Sequence, residues 1–175
     1  MKSVYINNII RTILLVVGQL FIFNNIHLTN YAVPVIYVYA VLKFPVEMSR
    51  MSILWISFLT GALVDLCMGA YGVNAAATTF IAFLRPYIGR LSFKEADEGR
   101  EATPSIREFG FFPFFGYISI LTTIHVAVIL MIEAFPLSDF FDTLLRILLS
   151  ALFSITFIIL IELIFQPAHT KRIKY

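Results

Sequence analysis

Charge, cysteine and tryptophan are all scarce in this 175-residue chain. Only 14% of its residues are charged, against about 25% in soluble domains. A packed globule of such a chain would have too little polar surface to face water. The single cysteine, Cys67, lies in an apolar run, which excludes an internal disulfide and a thiolate metal set. Its plain reading is a small membrane-embedded side chain. Of the three histidines, only His125 falls within an apolar run, so no pair of them can form a metal site between helices. Catalytic patterns are also missing. There is no HExxH, no Gly-rich phosphate loop, no pair of intramembrane aspartates and no Ser/His/Asp set at one depth. A basic, aromatic-interleaved nucleic-acid surface is absent as well. The chain therefore reads as a non-enzyme, with no cofactor and no metal.

Apolar side chains fill the rest. They make up 59% of the sequence, with 18 Phe, and mean hydropathy is +0.87. Runs of the length that spans a bilayer core, about 20 residues, occur at residues 9–23, 28–42, 51–68, 73–91, 111–135 and 140–165. They use nearly the whole chain, so we expect one domain over 1–175, an all-α bundle of six transmembrane helices. The second run is short and carries Pro34 near its start. The first lacks a small-x-small cleavage pattern after it and is expected to be a retained helix.

The basic residues fix an expected topology. With the N-terminus inside, Lys2, Lys43, Arg50, Arg90, Lys94, Arg100, Arg107, Lys171, Arg172 and Lys174 all fall on the cytoplasmic side, and no Lys or Arg falls in an outer loop. The positive-inside rule thus places both ends and the 92–110 loop in the cytoplasm. That loop is a solvated linker by composition, although Ile106, Phe109 and Phe112 have the spacing of a helix lying on the membrane surface.

Ionisable residues inside the spans need partners or water. By depth, Asp65, Glu133 and Arg146 share the outer half, and Arg11, Arg85 and Glu162 the inner half. Asp65 or Glu133 with Arg146, and Arg11 or Arg85 with Glu162, are the candidate pairs; snorkelling to the headgroups is the alternative for the inner set. His125 is expected to be neutral and bonded to a neighbouring helix. Small residues at helical spacing, including Ala75 and Thr79 in run four and Gly61 with Ala62 in run three, permit close helix approach. They serve either internal packing or docking of another protein.

Three segments together carry a family resemblance: Phe58-Leu59-Thr60-Gly61-Ala62-Leu63-Val64-Asp65-Leu66, then Gly72-Val73-Asn74-Ala75-Ala76-Ala77-Thr78-Thr79, then Ala82-Phe83-Leu84-Arg85-Pro86-Tyr87. In order and spacing they resemble the rod shape-determining MreD family in its Bacteroidetes form. Arg146-Ile147-Leu148-Leu149-Ser150 fits the same pattern. The resemblance implies a non-catalytic scaffold of the cell-wall elongation machinery in the cell inner membrane. Its implied partners are MreC, MreB filaments, and RodA with its penicillin-binding-protein partner PBP2. It also implies a compact six-helix fold similar to the substrate-binding subunits of energy-coupling-factor transporters. Asp65, Asn74, Arg146, Gly61, Ala75, Thr79 and Arg85 are the candidate partner-binding or cavity residues. The alternative function is a small-molecule-binding subunit of such a transporter, with an outer pocket near Asp65, Asn74 and Arg146 lined by aromatics such as Trp55. Against it, run one lacks the Ala-x-x-x-Ala pattern by which those subunits dock.

The topology has a direct test. In a Cys67→Ser background, a Tyr175→Cys variant in intact cells is expected to resist an impermeant thiol reagent and to react only after permeabilisation. Labelling from outside would reverse the orientation.

Overall fold

The computed structural model describes residues 2–23, 32–93, 103–134 and 139–165. Residues 28–31 of the second run, most of the charged loop, the turn at 136–138 and the basic tail lie outside them. The described residues form helices: α1 (Lys2–Gly18), continued by a π-helical turn (Gln19–Phe23), α2 (Val38–Leu42), α3 (Arg50–Met68), α4 (Val73–Ser92), α5 (Ile106–Phe109), α6 (Phe111–Glu133) and α7 (Phe140–Ile164). Of these, α3, α6 and α7 are long and apolar enough to cross a bilayer, which marks the chain as a membrane protein.

Packing follows chain order over the second half of the molecule. α4 lies between α3 and α6, and α6 packs on α7. Their outward faces carry large apolar side chains, among them Leu59, Leu66, Phe83, Phe112, Leu148 and Leu152, as a helix in lipid requires.

Two glycines in the left-handed region make the tight α3–α4 connection. Gly69 ends α3 at φ 67° and Gly72 precedes α4 at φ 84°, a conformation that a Cβ disfavours. Deeper in this hairpin the helices touch at Gly61. A Cβ there would overlap Thr78 Oγ1 and lie 2.5 Å from the Asn74 carbonyl oxygen and 2.6 Å from Ala75 Cα.

The second apolar run departs from expectation. It is not one continuous helix: residues 33–36 are non-helical, and among its described residues only the five of α2 are helical. Yet residues 34–45 are all buried, and Val38, Ala40, Val41 and Leu42 have no exposure at all. The run threads the interior of the bundle rather than joining its wall. Its composition explains why helix fails here. Val33, Val35, Ile36, Tyr37, Val38 and Tyr39 are β-branched or aromatic, and Pro34 offers no N–H.

Backbone buried in an apolar medium must find internal partners. Side chains of two helices provide them. Ser150 and Ser154, one turn apart on α7, accept from the Val33 and Val35 N–H groups at 3.1 and 2.8 Å. Gln19 closes a two-pronged contact: its Oε1 accepts from the Ile36 N–H at 2.6 Å, and its Nε2 donates to the Pro34 carbonyl at 2.9 Å.

Ser154→Ala leaves the Val35 N–H without that acceptor. We expect a loss of about 1–2 kcal/mol in stability, read as a lowered unfolding midpoint in detergent. Thr156→Ala, on the exposed face of α7, serves as the control and should leave the midpoint unchanged.

Candidate functional site

Polar side chains of the bundle gather into two networks, one at each end of the buried 34–45 segment. The first lies at the α3–α4 turn. Asp65, 4% exposed, accepts three hydrogen bonds from the start of α4: Asn74 N–H at 3.0 Å, Asn74 Nδ2 at 2.9 Å and Ala75 N–H at 2.8 Å. Unpaired N–H groups and the positive end of the helix dipole both favour a carboxylate there. Asn74 then accepts from the Tyr37 hydroxyl at 2.8 Å, and that oxygen lies 3.2 Å from His125 Nε2. The chain Asp65–Asn74–Tyr37–His125 ties α3, α4 and α6 to the threaded segment.

The second network surrounds the end of α2, where helix carbonyls lose their intrahelical donors. Tyr117 donates to the Leu42 carbonyl at 3.1 Å, Arg11 Nη2 to that of Lys43 at 3.0 Å, and Arg85 Nη2 to that of Phe44. Arg85 Nε also donates to the Tyr117 hydroxyl at 2.9 Å. Beside them Glu162, 3% exposed, accepts from Lys43 Nζ at 2.7 Å, from the Tyr39 hydroxyl and from the Ile106 N–H at 3.2 Å. It joins α7 to the threaded segment and to the first turn of α5.

These contacts revise the expected pairings. Asp65 bonds α4 rather than Arg146. Glu162 takes Lys43 rather than Arg11 or Arg85, and this is the one ion pair among the described residues. Arg146 is partly exposed with its Nε unpartnered, and no ion pair links it to Glu133. Two physical reasons apply. Asp65 meets the open N–H groups at the start of α4 within its own hairpin, whereas Arg11 and Arg85 meet the backbone of the threaded segment and Glu162 its Lys43 and Tyr39.

The other candidates divide. Gly61 and Ala75 are consumed by the α3–α4 contact, as is Thr78. Thr79 is partly exposed and, with Ala62, Ala76, Phe58 and Phe83, lines an open apolar groove along the outer face of that hairpin, with Asp65 at its edge. Asn74 and Arg85 are buried in the networks. Trp55 is exposed and is not among the residues that line the groove with Asp65. Ile106 and Phe109 turn toward the core, where Phe109 stacks on Phe93 at 4.0 Å between ring centroids, while Phe112 faces outward.

Sequence reasoning missed Gln19, Tyr37, Tyr39, Tyr117, Ser150 and Ser154. Signals existed for three of them: the i, i+4 serines in the most apolar run, and Gln19 as the one amide of residues 9–23. Among the described residues no three His, Cys, Asp or Glu side chains gather into a metal site. No protein-family model, no curated protein and no solved structure matches the chain.

Glu162→Gln removes the carboxylate that answers Lys43. Breaking a buried ion pair on one side costs about 3–5 kcal/mol, so a large fall in unfolding midpoint is expected. Adding Lys43→Met to Glu162→Gln should recover much of it, because the cation that the carboxylate answered is then gone as well.

Proposed function

We propose that the chain is a six-pass scaffold of the cell-wall elongation machinery, of the MreD kind, seated in the inner membrane with both termini cytoplasmic. Its second pass is the partly extended threaded segment. In this reading the groove of the α3–α4 hairpin receives the transmembrane helix of MreC. MreB and the RodA–PBP2 synthase would follow as further members of the same assembly. The resemblance is densest in this hairpin. The observation that carries the reading is that the same hairpin leaves a long apolar groove open along its outer face, with Ala62, Ala76 and Thr79 among its lining residues. Small side chains let a second helix approach closely, and helices in lipid associate by such packing and not by exclusion of water.

The hairpin is also held rigid, as a docking surface needs. Gly61 locks the two helices at their crossing, and Asp65 fixes the first turn of α4. A partner helix would therefore meet a preformed surface with little ordering to do. The transporter-subunit alternative draws less support. Asp65 and Asn74, the polar groups it would offer to a ligand, are bonded to each other and to the α4 backbone.

Co-purification of the tagged chain with MreC from membranes tests the reading. MreC is expected in the detergent-solubilised complex. Ala76→Trp, which fills the groove from an exposed position, should reduce its recovery about tenfold while leaving the unfolding midpoint of the chain unchanged. Failure of the unaltered chain to retain MreC would remove the partner assignment.

A further inference from the structure

We infer that the end of the bundle holding Arg11, Lys43 and Arg85 binds a phosphate-bearing anion, with Asn8 and Arg11 of α1 as its direct ligands. Charge balance is the first ground. Three cationic side chains converge on residues 42–44, and the one carboxylate facing them among the described residues, Glu162, is already bound by Lys43. The remaining groups that reach this place are neutral: the carbonyls of Leu42, Lys43 and Phe44, the hydroxyls of Tyr39 and Tyr117, and the Asn8 amide. On α5, Arg107 and Glu108 are exposed and do not enter it. Two positive charges thus stay unanswered among the described residues, in an apolar bundle where a lone cation is expensive.

Unmet donors are the second, independent ground. Asn8 Nδ2 and Arg11 Nε are buried and have no hydrogen-bond partner among the described residues. The two residues sit one turn apart on the same face of α1, and Arg11 Nη2 bonds Asn8 Oδ1, which turns the amide nitrogen away from the contact. Both orphan atoms are donors, so the ligand they fit is rich in acceptors and negatively charged. A tetrahedral phosphate offers several oxygens to a guanidinium and a neighbouring amide at once.

The surroundings suit a lipid headgroup. Ile9, Ile10, Ile13 and Leu14, interleaved with the two ligands along α1, are 50–65% exposed. Acyl chains could lie against them while the phosphodiester enters beside the partly exposed Arg11. A free phosphate carries the same oxygen chemistry without the chains. Nothing in this assignment uses the α3–α4 groove, so it stands or falls separately from the partner reading.

Native mass spectrometry of the full chain in detergent tests the inference with phosphatidylglycerol, phosphatidylcholine and inorganic phosphate as probes. About tenfold greater retention of phosphatidylglycerol than of phosphatidylcholine, with inorganic phosphate ineffective as a competitor, is expected for a headgroup site. Competition by inorganic phosphate would support the site and assign it to the free anion. Asn8→Asp places a carboxylate beside the Arg11 guanidinium and should abolish the preference while keeping or raising the unfolding midpoint. Arg11→Gln should abolish it as well. Equal retention of both lipids with no phosphate effect, or an undiminished preference in the well-folded Asn8→Asp variant, would overturn the inference.

Discussion

Peptide groups that leave helical geometry inside a bilayer have no water to turn to, and each one left unpaired is costly. The segment from Val33 to Phe44 meets this constraint along the axis of the bundle, and much of the remaining architecture answers it. Ser150, Ser154 and Gln19 satisfy its extended half. Tyr117, Arg11 and Arg85 satisfy the carbonyls at its helical end. Side chains from α1, α4, α6 and α7 thus converge on one stretch of backbone. These helices are held together by a shared polar axis as well as by apolar packing.

This arrangement also decides what the ionisable residues do. Arg85 and Arg11 serve as hydrogen-bond donors to carbonyls, Glu162 as a three-way acceptor, and Asp65 as the cap of α4. Among the described residues none of them is paired with an opposite charge across the bundle, apart from Glu162 with Lys43. The same economy leaves a surplus of positive charge near α1, because carbonyl oxygens accept hydrogen bonds without neutralising a cation. An anion from the surroundings would complete the electrostatics there.

At the other end the α3–α4 hairpin combines rigidity with an open face. Close approach at Gly61 and the Asp65 contacts immobilise the two helices relative to each other. Ala62, Ala76 and Thr79 lie toward the lipid side, where Phe58 and Phe83 help to bound the groove. Of the small residues in this hairpin, one set joins its own helices and another stays open on the groove.

Hydrophobic run lengths were enough to locate α1, α3, α4, α6 and α7, because each long helix satisfies its own backbone and needs only an apolar exterior. Gly69 and Gly72, three apart between two such runs, mark the tight turn between α3 and α4. The second run was apolar enough to be taken for a span, and hydropathy alone cannot tell a residue facing lipid from one facing protein. Its β-branched and aromatic content hinted at extended backbone, but the serines and the glutamine that make such backbone tolerable lie 15 to 119 positions away. Side-chain pairing was illegible for the same reason. Depth along a helix can be counted from the sequence, whereas direction around the bundle axis, and the chain that fills that axis, exist only once distant segments have packed.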